Sequence, residues 1–284
     1  MILITGAGGK TGKALTKALS KGESICALVY REEQIPVLKS LGAEKIILGD
    51  MRDDDAIRFV MQGVTAVYHI CPNMNLDEIV IAKLVIEEAR KAGVKHFVYH
   101  SVLHPQTEKM PHHWQKLSVE EMIFESGLPF TILQPAAYMQ NLLAGWKSII
   151  EDGVLRVPYS VDSKFSFIDL EDLAEAARIV LTEPCHLHAV YELAGTLPMS
   201  QVEVAEIFSR VLNRSIRAER SERSPQELPK GNEYAEETLQ QMFEYYDRWG
   251  LMGNPNVLTW LLKHEPTSLE SFIGRVAKER NVIP

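Results

Sequence analysis

Ile2-Leu3-Ile4-Thr5-Gly6-Ala7-Gly8-Gly9-Lys10-Thr11-Gly12 opens the chain, and its reading decides the fold. A short apolar run meets glycines at 6, 9 and 12, and an amphipathic stretch over 12–20 follows. The order is strand, glycine turn, helix, and each glycine has a task if a pyrophosphate sits there. Gly6 makes the tight turn off the strand. Gly9 lets the backbone approach the phosphates, because no Cβ intervenes. Gly12 lets the helix pack closely on the sheet. The helix N-terminus adds unpaired N–H groups and a positive dipole end. Thr5, Lys10 and Thr11 complete the candidate cofactor loop. A bare glycine-rich connector is the alternative, and the strand-turn-helix context argues against it. A triphosphate P-loop is excluded, because Gly9-Lys10-Thr11 needs a glycine where Ile4 stands.

The same rhythm continues downstream. Strands are expected at 2–5, 24–29, 45–48, 66–70, 96–100 and 130–133, with helices over 33–41, 53–61, 77–92 and 115–126 between them. Val80, Leu84, Val85 and Ala89 show the three- and four-residue spacing of a helix face. The strands are apolar along most of their length, as strands covered on both faces are. Such alternation predicts an α/β fold, a Rossmann-type doubly wound parallel sheet with right-handed crossovers. After residue 135 the rhythm changes to a strand-helix unit at 166–181, a strand at 190–193, and helices over 202–212, 233–249 and 267–278. The expected organisation is a dinucleotide-binding domain of 1–135 plus 166–195. A smaller, mainly helical subdomain for substrate or partner takes 136–165 plus 196–284.

Composition narrows the function. The 284 residues are 46% hydrophobic and 24% charged, as in ordinary globular proteins. No apolar run reaches about 18 residues, so no membrane helix is expected, and the N-terminal apolar run is too short for a signal peptide. The net charge of −8 argues against a general nucleic-acid binder. Cys26, Cys71 and Cys185 form neither a disulfide framework nor a zinc pattern. No metal and a reducing cytoplasm are therefore expected. Arg214, Arg217, Arg220 and Arg223 recur at three-residue steps, but interleaved Glu219 and Glu222 make a solvated surface the simpler reading. Met242, Phe243, Tyr245, Tyr246, Trp249, Leu251, Trp260 and Leu261 read as subdomain core or partner surface.

The choice of dinucleotide turns on the end of the second strand. An acid there binds a ribose 2′-hydroxyl. Here Arg31 stands at the tip, where a guanidinium can pair with a 2′-phosphate, and Lys10 can add a second charge. NADP(H) is thus favoured over NAD(H). Glu32 and Glu33 follow at once and would serve a shifted strand end. Asp50, after the third strand, lies near adenine or caps the next helix.

Several stretches resemble the NmrA-like group of atypical short-chain dehydrogenases. They are 5–12, Gly49-Asp50, 94–101, 126–135, Asn141, 169–174 and 191–195. The resemblance implies strand order 3-2-1-4-5-6-7 and a small, variable substrate subdomain. Members of the group are similar to NAD(P)H quinone reductases and triphenylmethane-dye reductases, and others act as NADP-sensing regulators. The wider superfamily places a Tyr-x-x-x-Lys pair on the helix after the fifth strand. None of the nine tyrosines here has a lysine four residues on. Lys116 matches the family's lysine, which holds the ribose, and His112 takes the tyrosine's place. Ser101 matches the family's serine, which hydrogen-bonds the substrate oxygen. Residues four apart share a helix face, and imidazole can transfer a proton near neutrality. Lys116 would depress the His112 pKa. A loop position ahead of the helix is the plain alternative for His112 and His113. His100 and His104 are further donor candidates. Cys71 follows the fourth strand beside the expected nicotinamide, and Asn73, Tyr138 and Asn141 are expected to line an acceptor pocket.

These features together predict an NADP(H)-dependent oxidoreductase. It would pass hydride to a small quinone-like or aromatic acceptor. The alternative is an NADP(H)-sensing regulator with a protein partner, and a homodimer is compatible with either. A sugar-nucleotide epimerase is disfavoured by the missing tyrosine.

Overall fold

Runs of Val, Ile, Leu and aromatic residues pair into one sheet because their side chains are buried on both faces. The strands are β1 (Ile2–Ile4), β2 (Ile25–Val29), β3 (Lys45–Leu48), β4 (Ala66–His69), β5 (His96–His100), β6 (Phe130–Pro135) and β7 (Ala189–Leu193). They lie in the order β7-β6-β5-β4-β1-β2-β3. The pairing is parallel, with Ile2 opposite both Ile25 and Ala66. This computed structural model describes residues 1–221 and 232–283.

The sheet is the expected Rossmann-type α/β sheet, and its order matters for function. The chain builds outward from β1 to β3, then crosses back to β4 on the other side of β1. That reversal is the switch point of the sheet, and the usual ligand position in such sheets is beyond the carboxyl ends of the strands there, β1 and β4. Helices α1 (Lys10–Leu19), α2 (Ile35–Ser40), α3 (Asp54–Val60), α4 (Glu78–Lys91) and α5 (Pro111–Glu125) connect these strands. Ile57, Val60, Val85, Ala89, Val119 and Ile123 from α3, α4 and α5 pack on Leu3, Val67, Phe97 and Ile132 of the sheet. Each such side chain contributes roughly 1.5–3 kcal/mol by leaving water.

One boundary differs from the periodicity. Helix α5 starts at Pro111 rather than near 115. Proline suits the first helical position, where its fixed φ fits and its missing N–H is not needed. His112 and His113 consequently lie in the first turn of a helix, buried, and not in a loop.

The chain divides into two compact units, 1–134 with 173–191, and 135–172 with 192–284. In the second, Val154–Val157 pairs parallel with Arg217–Arg220, and Ala137–Tyr138 with Phe167–Ile168. Helices α6 (Trp146–Asp152), α7 (Leu170–Thr182), α8 (Gln201–Leu212), α9 (Glu233–Trp249), α10 (Asn256–Leu262) and α11 (Leu269–Glu279) complete the described chain. Ser200, Asn232 and Ser268 cap α8, α9 and α11 through their side chains. Arg275 on α11 pairs with Asp169 at 2.5 Å and Glu171 at 2.7 Å. Tyr159, Phe165 and Tyr246 form an aromatic core, with ring centroids 4.7–5.9 Å apart. Leu251 and Leu261 are buried, whereas Trp249 and Trp260 are exposed. Arg214 donates to the Ile150 carbonyl, Arg217 pairs with Glu219 and Arg220 with Asp247. Arg223 and Glu222 lie outside the described residues. Among the described residues no helix is long and apolar enough to cross a membrane.

Candidate cofactor and active site

The three glycines of the loop divide by what the fold demands of them. Gly6 has φ +59°, and a Cβ there would lie 2.7 Å from the Ile70 carbonyl oxygen. A Cβ on Gly12 would lie 2.5 Å from Ala7 Cα and 2.6 Å from the Gly6 oxygen. Both must be glycine for the turn and for the packing of α1. Gly9 is different: its Cβ would meet only the Gly6 oxygen, at 3.4 Å. Gly9 is also the N-cap of α1, and among the described residues no side chain caps that helix. Ser, Thr or Asp would serve the helix better at this position. The residue choice leaves the first-turn N–H groups of Lys10, Thr11 and Gly12 open to an anion. A pyrophosphate fits these residues.

Thr5 supports the loop from below. Its hydroxyl lies 2.9 Å from His69 Nδ1, donates to the Ile70 carbonyl and accepts from the Ile70 N–H. It ties the end of β1 to the end of β4 and is fully buried. A residue the sequence reading missed covers the loop: a Cβ on Gly8 would lie 2.2 Å from the Gln34 carboxamide carbon. Gln34 in turn accepts from the Arg31 backbone N–H at 3.2 Å.

Strand β2 ends at Val29, so Tyr30 and Arg31 follow its tip directly. Glu32 and Glu33 belong to the next helical turn, Glu32–Gln34. The exposed Arg31 guanidinium makes no ion pair among the described residues. Asp50 is not a helix cap; Asp53 caps α3 instead. The Asp50 carboxylate is gripped by Arg52 at 2.7–3.1 Å. That hydrogen bonding holds the Asp50 carboxyl below the usual range. Arg52 also reaches Asp77, at 3.6 Å.

Beyond β4 and β5 a buried polar cluster surrounds Lys116. Its ammonium donates to Glu78 Oε1 at 3.0 Å and to the His100 carbonyl at 3.3 Å. The Tyr99 hydroxyl donates to the same Glu78 oxygen at 2.8 Å. Burial pushes the Glu78 carboxyl up, but Lys116 and Tyr99 outweigh it and leave it below the usual range. Glu78 opens α4 in the sequence like an ordinary first-turn acid, and nothing there marked it as buried. Cys71 lies beside it; burial first, and the Glu78 carboxylate second, raise its thiol pKa. Cys71 is therefore a neutral thiol.

His112, one turn before Lys116, is also buried, and its Nδ1 has no hydrogen-bond partner among the described residues. Burial first, then Lys116, hold its pKa well below the usual value. The sequence spacing shows only the Lys116 charge; the burial comes from the fold. His113 hydrogen-bonds the His104 carbonyl at 3.2 Å and is held at about 4 by burial. His100 packs inside the sheet with Nδ1 2.9 Å from the Tyr68 hydroxyl. Ser101 donates its hydroxyl to the buried Glu120 carboxylate, which also accepts from Gln134 at 2.9 Å. Burial raises the Glu120 pKa. Asn73 is exposed in the loop after β4, next to Met74, whose φ of +51° is unusual for a side chain of that size. Tyr138 and Asn141 belong to the second unit, in the strand Ala137–Tyr138 and the turn Met139–Gly145.

The chain is 30% identical over 220 residues to an NAD(P)H azoreductase of Xenophilus azovorans, covering 76% of each chain. It is 30% identical over 208 residues to quinone oxidoreductase 2 of Escherichia coli, covering 72% of each. The crystal structure of the NADPH-dependent quinone oxidoreductase of Escherichia coli with NADPH superposes with a TM-score of 0.84. That match has 26% identity and covers 97% of this chain and 99% of that one. Residues 1–279 match the model of the NmrA-like family. This protein belongs to the NmrA-like family.

Proposed function

We propose that the protein is an NADP(H)-dependent oxidoreductase that reduces a small quinone-like or aromatic acceptor. The observation that carries the cofactor is Gly9: a glycine the fold does not need, at the uncapped start of α1. The azoreductase and quinone reductase relatives support the reaction class. Bound NADPH supplies a hydride, and the acceptor takes up one proton with it. Gly6, Gly9 and Gly12 with the N–H groups of Lys10, Thr11 and Gly12 hold the pyrophosphate. Arg31 and Lys10 take the 2′-phosphate, Asp50 borders the adenine, and Lys116 donates to the ribose by giving up its long 3.5 Å contact to the Tyr99 hydroxyl. Thr5 holds the loop in shape, and Cys71 presents a neutral surface beside the nicotinamide. His112 stays neutral, so it donates from an imidazole N–H and not as an imidazolium. Ser101 reaches the substrate oxygen once released from Glu120. Asn73, in the first unit, is a candidate acceptor contact. Cys26, Cys71 and Cys185 are free thiols, which favours the cytoplasm.

NADPH oxidation against quinones, azo dyes and enones tests the reading. Turnover of at least one acceptor is expected. Tight NADPH binding with no turnover of any acceptor overturns it in favour of a cofactor-sensing regulator. Arg31→Ala tests the phosphate assignment. Affinity for NADPH should fall about tenfold or more, the scale of a charged hydrogen bond. Affinity for NADH should not change. An equal loss for both cofactors removes Arg31 from the 2′-phosphate site.

A further inference from the structure

We propose that Glu78 is a positioning residue of the cofactor site: its buried carboxylate aims the Lys116 ammonium and keeps it charged. The inference rests on the reading that Lys116 contacts the cofactor ribose. Three elements converge on one oxygen. Glu78 comes from the first turn of α4, Tyr99 from β5 and Lys116 from α5, and Oε1 accepts from both at 2.8–3.0 Å. The Glu78 side chain is wholly inaccessible and that of Lys116 nearly so. A lysine on a helix normally extends its stem so that the charge reaches water. Lys116 instead turns inward across β5, where its nitrogen stands 5.2 Å from the Tyr99 ring centre.

The surrounding groups leave Glu78 as the counter-charge. His69 on β4, His100 on β5, and His112 and His113 on α5 all have pKa values depressed first by burial. Cys71 after β4 and Tyr99 on β5 are held neutral by burial. The Glu120 carboxyl on α5 is raised by burial and engaged by Ser101 and Gln134. A buried ion pair is weak grounds for stability, because apolar residues often serve as well. Its distinctive effect is on direction and charge state. Without Glu78, Lys116 has no hydrogen-bonded counter-charge, only the Glu120 carboxyl already engaged by Ser101 and Gln134, and desolvation then favours loss of its proton.

NADPH dissociation constants from pH 7 to 9.5, read by quenching of protein fluorescence, test the proposal. Lys116→Met should weaken binding about tenfold at every pH, the loss of one charged hydrogen bond. Glu78→Gln should introduce an alkaline limb, with affinity falling about tenfold across the range relative to wild type. The double variant should bind weakly and without that limb. A structural role for Glu78 would not create an ionisation that vanishes with Lys116. Glu78→Asp keeps the charge but retracts it, so the limb should appear displaced to higher pH; it decides the matter if Glu78→Gln does not fold. A folded Glu78→Gln or Glu78→Asp protein whose profile runs parallel to wild type overturns the proposal. Unchanged affinity in Lys116→Met removes the ribose contact, and the proposal falls with it.

Discussion

Acidification from pH 7 to pH 4 should unfold this protein, with a midpoint near pH 5 by far-ultraviolet circular dichroism. The cause is a set of histidines buried as neutral rings. His69, His96 and His113 are held at about 4 and His100 at about 3, all chiefly by burial. His112 is held well below the ordinary value for the same reason. An unfolded histidine titrates near 6.5. A base whose folded pKa is depressed contributes stability above the unfolded value and loses it as pH falls through the folded one. The window therefore opens at about 6.5 and runs down to about 4, and to about 3 for His100. Each group held at about 4 forfeits up to about 3 kcal/mol across it, at 1.36 kcal/mol per unit. Several such losses match the whole stability of a typical domain, about 5–15 kcal/mol. Glu78 acts with them, since its lowered carboxyl also loses its contribution in acid. Glu120 and Asp172 act against them, because burial raises both. Two raised carboxyls do not offset five depressed histidines. Full structure retained at pH 4 would show that these rings are not buried neutral.

The buried histidines also mark where sequence reading stops. The glycine loop was legible because turn geometry and helix entry are local, and three glycines at fixed spacing state both. Alternation made the parallel sheet legible, and the strand order came from the family resemblance alone. Gly6 and Gly12 have the turning and packing tasks expected of them. The cluster around Lys116 was half legible. His112 and Lys116 share a helix face, which spacing shows. Glu78 lies 38 residues away, and its place at the start of α4 imitates a dipole-stabilising surface acid. Only the sheet brings it under Lys116. Pro111 was a readable signal that went unused, and it decided whether His112 was in a loop or a helix. Asp50 shows the opposite failure. Its partner Arg52 is two residues away, yet charge pairing in an exposed turn has no pattern to read. Trp249 and Trp260 are exposed because hydrophobic residues are not confined to cores, so composition alone could not sort them from Leu251.

Lys116→Met should cost about 3–5 kcal/mol of stability at neutral pH, the scale for removing one partner of a buried ion pair. Methionine nearly matches the stem in length, so the loss comes from Glu78 and not from a cavity. In the wild type the Glu78 carboxyl sits below the usual range because Lys116 and Tyr99 outweigh burial. Its contribution is present above the ordinary glutamate value and disappears as pH falls. In the variant burial acts with only Tyr99 and, weakly, His69 to oppose it, and the folded carboxyl rises above its unfolded value. The sign then reverses: the variant favours the protonated carboxyl, and its deficit relative to wild type should shrink as pH drops from 8 to 5.5. The neighbouring histidines push the same way, since Lys116 depresses His69, His100 and His112 in the wild type. Thermal melts of both proteins across that range test the sign. Adding Glu78→Leu to Lys116→Met should restore most of the lost stability, because no buried charge is then left alone. NADPH affinity should stay low in the double variant, because the lysine that contacts the ribose is still missing. Stability recovered without affinity separates the two roles of this pair. A double variant no more stable than Lys116→Met would mean that the uncompensated Glu78 charge was not the source of the loss.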